Sequence, residues 1–220
     1  MTLVGRLFAL FPPLWALLTF GSLGWALWER DVWLGLAAFG SAYLLPVLAF
    51  RLLVAVRPIP TGFTAIDEPK FSPWWAAHNL QLGYDVFPVF ENAIRLVPGL
   101  YSAWLRLWGS RIGPGVYWTQ SVRVMDRSLV DVDAGAIFGH QIDLIAHAIF
   151  PRQKKLMLYV ERIHVGAGTL IGAYSALGPG LDIGERSLVG NNCKLGVKVY
   201  PAGTRVQANT YEAGDWRERL

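Results

Sequence analysis

Hydrophobic residues follow three different rules along this chain. Residues 6–28 and 32–55 are apolar almost throughout, with Glu29, Arg30 and Asp31 between them. About 20 residues at 1.5 Å each span a hydrocarbon core of roughly 30 Å, so the pattern predicts two transmembrane helices joined by a very short turn. Pro12 and Pro13 either kink the first helix or mark its start, and Pro46 and Arg51 interrupt the second. A cleaved leader is the rival reading of the first stretch. No convincing small-x-small cleavage site precedes the turn, and a second apolar span follows at once.

The second rule covers residues 58–111, where aromatics mix with charge. Pro58, Pro60, Gly62 and Pro69 predict a loop, and Ser72-Pro73 a helix start with serine as N-cap and proline in the first turn. Trp74, Trp75, Phe87, Phe90, Trp104 and Trp108 recur among Asp85, Glu91, Arg95 and Arg106, charges that oppose a third span. Such helices lie in the membrane interface or pack as an apolar cap on the domain that follows.

The third rule is a six-residue beat. Val165-Gly166, Ile171-Gly172, Leu177-Gly178, Ile183-Gly184, Val189-Gly190 and Leu195-Gly196 are aliphatic–glycine pairs in one register. Four residues after each aliphatic stands Thr169, Ser175, Leu181, Ser187, Cys193 or Val199, mostly small. The spacing lacks the three-and-four rhythm of a helix and predicts short parallel strands stacked as a solenoid. Glycine after each aliphatic implies either a positive φ or close backbone approach. An earlier register, Val132, Phe138 and Leu144, is out of phase with the later one. Residues from about 150 to 158 therefore form an insertion that leaves the coil as a loop, and such loops tend to carry function. The predicted organisation is a transmembrane hairpin (1–57), an interfacial aromatic linker (58–111), the solenoid (112–205) and a tail (206–220).

Composition agrees with a membrane portion: 53% of residues are hydrophobic, 16% charged, and ten are tryptophan. The net charge of +4 comes without a basic run or nucleic-acid motif. Arg6 lies on one side of the predicted hairpin with Arg51, Arg57 and Lys70, against Arg30 alone on the other. That bias predicts cytoplasmic termini and a multi-pass protein of the inner (cytoplasmic) membrane with its repeat domain in the cytoplasm. The single cysteine, Cys193, excludes an intrachain disulfide and fits a buried thiol in a small-residue slot.

The runs Trp104–Gly113 and Asp126–Asp133, then Ile145-Ala146-His147 before the insertion and six regular repeats, resemble the hexapeptide-repeat acyltransferases. They are similar in particular to the membrane-linked C-terminal repeat modules of poly-lysine synthetase-type peptide synthetases. The resemblance spans about residues 104–205. It implies a mainly β fold, a left-handed parallel β-helix with three hexapeptides per triangular coil, assembled as a homotrimer. It implies transfer of an acyl group from coenzyme A or a carrier-protein thioester to a hydroxyl or amine, in clefts between subunits. A histidine near the extruded loop serves as base in that family.

His147 matches that histidine by position, and neutral imidazole can take a proton from an attacking hydroxyl or amine near neutral pH. Glycine-rich corners offer backbone N–H groups for the oxyanion. His140 is expected to orient His147 or to touch substrate; His164 sits at a repeat boundary as a structural residue, and His78 lies in the aromatic linker. Asp126, Asp131, Asp133 and Asp143 surround the early repeats, and one of them can orient the imidazole. Arg152, Lys154 and Lys155 on the insertion meet phosphates of coenzyme A, of a phosphopantetheine arm or of a lipid, or simply solvent. The resemblance places the nucleotide end of coenzyme A near Lys194, Lys198 and Pro201. A γ-type carbonic anhydrase shares this kind of fold and binds zinc through three histidines, but His140, His147 and His164 are spaced seven and 17 apart and depart from its pattern, so no metal is expected. The remaining rival is a non-catalytic trimeric membrane scaffold. Expected partners are a second and third copy of the chain, the lipid bilayer, and a carrier protein or peptide synthetase.

Overall fold

The computed structural model describes residues 2–66, 70–152 and 155–212. The chain forms two compact units, Met1–Pro60 with Ile66–Phe90, and Thr61–Ala65 with Glu91–Leu220.

In the first unit, α1 (Leu3–Ala9) and α2 (Phe11–Glu29) continue into one apolar helical stretch of 27 residues. Pro12 and Pro13 fall in the first turn of α2, where a missing N–H costs no helical bond, so they start a helix instead of kinking one. Arg30 closes α2 in the left-handed region with φ 55°. Asp31 then caps α3 (Val32–Phe39), its carboxylate accepting from the N–H of Trp33 at 2.7 Å. A π-helical turn at Gly40–Leu44 separates α3 from α4 (Leu45–Val56). Its cause lies in Pro46, which has no N–H to give the Ala42 carbonyl four residues back. The freed carbonyls find side chains: Tyr84 Oη donates to Ala42 O at 2.7 Å, and Trp15 Nε1 to Ser41 O at 2.8 Å.

Both long stretches pass the length and hydropathy needed to cross a membrane, and little of either is buried. Leu14, Leu17, Leu27, Trp33, Leu48 and Leu52 all face outward. α5 (Pro73–Val86) begins as expected, with Ser72 Oγ accepting from Trp75 N. It packs against α1, α2 and α4 and buries Trp74, Leu80 and Tyr84. A Cβ on Gly83 would stand 2.4 Å from the Trp15 ring, so glycine is what lets α5 and the indole meet. α6 (Val89–Arg95) leads the chain into the second unit.

The second unit contains β1 (Gly62–Ala65), the helix α7 (Leu100–Trp108) and a parallel β-solenoid of five coils. Coil one is β2 (Arg111–Ile112), β3 (Tyr117–Trp118) and β4 (Arg123–Val124); coil two is β5 (Val130–Val132), β6 (Ile137–Phe138) and β7 (Asp143–Leu144). A hairpin follows, β8 (His147–Arg152) and β9 (Lys155–Val160). Coil three is β10 (Ile163–Val165), β11 (Leu170–Ile171) and β12 (Ala176–Leu177). Coil four is β13 (Asp182–Ile183), β14 (Leu188–Val189) and β15 (Lys194–Leu195), and coil five is β16 (Val199–Tyr200), β17 (Arg205–Val206) and β18 (Tyr211–Glu212). Equivalent strands stack in parallel into three five-stranded faces, led in coil one by β2, β3 and β4. Aliphatic columns, one per face, fill the interior: Val165, Ile171, Leu177 and Ile183 are each fully buried. Each such side chain stabilises the stack by about 1.5–3 kcal/mol.

Close approach to the next coil accounts for the glycine after the aliphatic at Gly166, Gly172, Gly184 and Gly190. A Cβ on Gly184 would lie 2.4 Å from Ala202 N in the next coil. Positive φ occurs two residues later, at Gly168 and Gly180 and also at Tyr174, Arg186 and Asn192. The small-residue slot carries a ladder of its own. Thr169 Oγ1 donates to Gly184 O at 3.0 Å and accepts from Ser187 N at 3.2 Å; Ser175 Oγ accepts from Cys193 N at 3.1 Å.

The six-residue register does not survive to the end. Ile171 pairs with Val189, 18 residues on, but Ile183 pairs with Tyr200, only 17 on. One residue is missing from the corner at Gly196–Lys198. Val199 therefore faces outward, 59% exposed, where the repeat predicts an inward slot, and Tyr200 turns inward. The fifth coil runs to Glu212, beyond the residue 205 expected from the repeat. The insertion, expected as a loop, is instead a regular antiparallel hairpin, and β1 pairs with β9 to make a three-stranded sheet. That partner strand lies some ninety residues earlier in the chain, which no local pattern reveals.

α7 closes the first coil by packing on β2 and burying Tyr101, Trp104, Leu105 and Trp108. Beneath it lies a buried ion pair. Arg127 Nε meets Glu91 Oε1 at 2.7 Å and Arg127 Nη2 meets Glu91 Oε2 at 3.1 Å, while Trp104 Nε1 donates to Glu91 Oε1 at 2.9 Å.

Candidate active site

Coils one and two are offset by 20 residues, two more than the later repeat: Arg123 pairs with Asp143. The extra residues make a turn after β4, closed by Leu129 N donating to Asp126 O at 3.0 Å. This turn sends neighbouring side chains to opposite ends. Arg127 goes to Glu91. Asp126, 2% exposed, receives the N–H of Ala146 at 2.9 Å and the Nδ1 of His147 at 2.7 Å through the same Oδ2.

His147 is the first residue of β8, paired with Val160, so the hairpin begins at the imidazole. Its side chain is 15% exposed. It lines a groove of about 200 Å³ together with Ile145, Ala176, Leu177, Gly178, Pro179, Lys194, Leu195 and Gly196. The groove follows the corner after the third face through coils two, three and four. Its wall is apolar apart from His147 and Lys194. A buried carboxylate on Nδ1 fixes the tautomer with the proton there and makes Nε2 the basic nitrogen. Of the four acidic candidates in the sequence, Asp126 is the one in contact with the His147 ring.

The other three have different duties. Asp131 holds the Arg162 guanidinium at 2.5 and 2.8 Å. Burial pushes the Asp131 carboxyl up, but the Arg162 bonds outweigh it and its pKa is lowered overall. Asp143 pairs with Arg123 at 2.7 Å on the exposed third face. Asp133 and Asp182 both meet His164, at 3.2 and 2.6 Å. Burial lowers the His164 pKa, the two carboxylates raise it more, and the net shift is upward. His164 thus bridges three coils.

His140 is not the partner of His147. It lies one corner earlier, its ring edge-on to Tyr174 at 5.8 Å. Of the expected donor-binding residues, Lys194 lines the groove with its Nζ 5.1 Å from the Tyr211 ring. Lys198 is committed to Glu212 at 2.5 Å, and Tyr200 Oη also bonds that carboxylate. Hydrogen bonds from Lys198 and Tyr200 lower the Glu212 pKa. Pro201 stands at a different corner, its carbonyl accepting from Thr204 Oγ1 at 2.6 Å, so it is a turn residue away from the groove. Lys155 starts β9 opposite Arg152 at the hairpin tip, and Lys154 lies outside the described residues. Gly178 and Gly196, which line the groove, spend their N–H groups on the Leu195 and Glu212 carbonyls, so these two N–H groups are not oxyanion donors. Cys193 is buried, its thiol 3.1 Å from Gln207 O in the small-residue ladder. Among the described residues no three His, Cys, Asp or Glu side chains converge as a metal site.

Fold and groove together define a hexapeptide-repeat β-solenoid with a buried acid–imidazole pair beside an extruded hairpin. No family model matches the chain. It is 27% identical over 167 residues to the bifunctional protein GlmU of Bordetella parapertussis and of Bordetella bronchiseptica. The match covers 74% of this chain and spans only 28% of the length of those relatives. Among solved structures it is similar to a maltose O-acetyltransferase from Clostridium difficile 630, at 15% identity and TM-score 0.39, over 57% of this chain and 81% of that one. A hexapeptide-repeat containing acetyltransferase from Vibrio cholerae matches at 11% identity and TM-score 0.35, over 58% and 85%.

Proposed function

We propose that the protein is a membrane-anchored acyltransferase in which His147 is the general base and Asp126 orients it. The observation that carries this reading is the 2.7 Å contact between His147 Nδ1 and the buried Asp126 carboxylate, at the rim of an apolar groove. In the reaction, the acceptor oxygen or nitrogen attacks the thioester carbonyl and a C–O or C–N bond forms. Nε2 takes the proton released by the acceptor, the C–S bond breaks, and the proton passes to the leaving thiolate. The apolar groove wall suits the flexible arm of the thioester, and Lys194 supplies a cation for the phosphates of coenzyme A or of a phosphopantetheine arm.

The two long apolar helices serve as the anchor, with the solenoid on the cytoplasmic side, and the acceptor is presented at the membrane. Self-association as a trimer would use the second face, whose outward residues in coils one to four, Tyr117, Ile137, Leu170 and Leu188, are exposed and apolar, with Arg205 following in coil five. The first face carries Asp131, His164 and Asp182, and the third Arg123, Asp143 and Lys194, so neither offers a comparable strip.

The test is thiol release from acetyl-coenzyme A, and separately from an acylated carrier protein, by the purified full-length protein with membrane extract as acceptor source. Acceptor-dependent release from either donor supports the proposal and names the donor. Release from neither leaves the non-catalytic scaffold as the better reading.

A further inference from the structure

We infer that a second cleft, between the α7 cap and the first coil, binds the phosphate-bearing head of an amphiphile. It is independent of the His147 site and of acyl transfer. The cleft holds about 850 Å³ and is lined from the cap by Arg95, Tyr101 and Arg106, and from the coils by Trp118, Gln120 and His140.

Its electrostatics are one-sided. No carboxylate is among the described residues that line it. Arg95 donates to the carbonyls of Gln120 at 2.8 Å and Val122 at 2.5 Å, and Arg106 to those of Ile112 at 2.8 Å and Gly113 at 3.2 Å. Bonds to neutral carbonyls position a guanidinium without cancelling its charge. Glu91, the acid whose charge reaches Tyr101, is already bound to Arg127 and Trp104.

Two further features point to an anion. α7 starts at Gly99 with no side-chain cap, and Gly99, Tyr101 and Ser102 around its first turn line the cleft. Tyr101 is 2% exposed, yet its hydroxyl meets no partner in hydrogen-bond geometry. Burial raises the Tyr101 pKa; Arg95 lies over the ring face, 3.8 Å from its centroid, near enough to the hydroxyl to oppose that rise but outside hydrogen-bond geometry. A buried, unpartnered donor is costly, and a phosphate oxygen would satisfy it. The rim explains why the ligand is an amphiphile: Leu96, Val97 and Leu100, beside Arg95 and Gly99, are exposed apolar residues.

The experiment is calorimetric titration of the full-length protein in amphipol with dihexanoyl phosphatidic acid, dihexanoyl phosphatidylcholine and glycerol 3-phosphate. Phosphatidic acid should saturate one site per chain, with the other two probes at least tenfold weaker. Removing a charge-assisted contact with Arg106→Gln should weaken phosphatidic acid roughly tenfold or more. Tyr101→Phe keeps the ring and deletes only the unpartnered hydroxyl, so it should leave the melting temperature unchanged or higher while weakening binding roughly threefold to tenfold. Equal binding of phosphatidylcholine, or phosphatidic acid binding unmoved by both variants, would overturn the site. Glycerol 3-phosphate binding as tightly as phosphatidic acid would overturn the amphiphile and leave a plain phosphate site.

Discussion

Replacing Arg127 with methionine should cost far more stability than its charge count suggests. Its side chain is 1% exposed and that of Glu91 is 7% exposed, with a two-pronged contact at 2.7 and 3.1 Å. Methionine fills most of the space of the arginine stem but has no fork. Glu91 would then keep only the Trp104 indole bond at 2.9 Å, with its charge still buried. Removing one partner of a buried pair typically costs about 3–5 kcal/mol, against a total stability of about 5–15 kcal/mol for a domain. Most of that cost is the stranded carboxylate. Adding Glu91→Gln to Arg127→Met should therefore recover much of the loss, because a neutral amide can stay buried on the indole. Equilibrium guanidinium unfolding in mild detergent, run on the wild type, both single variants and the double variant, measures this. The reasoning fails if Arg127→Met costs less than about 1 kcal/mol, or if the double variant is no more stable than Arg127→Met alone.

Asp126→Asn should retain the fold but slow acyl transfer by about 10²-fold or more, since an amide favours the wrong imidazole tautomer, and an unchanged initial rate would remove Asp126 from the site. His164 has its charged form favoured when folded, so its contribution is complete below the ordinary imidazole pKa and fades as pH rises through the raised value. Stability should accordingly fall by less than about 1 kcal/mol between about pH 6 and pH 8, a small drop in melting temperature because the ring is partly exposed, and His164→Gln should flatten that slope. Cys193→Ser should change stability by less than about 1 kcal/mol, because serine already fills the same ladder slot at Ser175 and Ser187; a large loss by thermal melt would show that the thiol packs in a way serine cannot match.

The solenoid was legible because its interior is lined by three aliphatic columns, one per face, and the step from one face to the next leaves a six-residue period in sequence. The slip at Gly196–Lys198 was not legible, because Val199 looks as acceptable in an inward slot as Tyr200 does until the pairing with Ile183 is seen. The hairpin escaped for a related reason: Phe150 to Leu156 alternates weakly, and the strand that completes its sheet, β1, lies between two prolines far upstream. At the site, the break in register marked His147, but any of four aspartates satisfied the spacing. Asp126 was singled out only by the two extra residues between coils one and two, which turn it under Ala146. His140 and Pro201 looked suitable in sequence and stand at other corners, because neighbours in a solenoid are 17 or 18 residues apart, not six.

The most direct test of the proposed chemistry is the initial rate of thiol release by His147→Ala beside the wild type, in the same acceptor-dependent assay. Losing a positioned general base should lower the rate about 10²–10⁴-fold while melting temperature and assembly size stay close to wild type. A His147→Ala protein that turns over at the wild-type rate would contradict the assignment, whatever the fold.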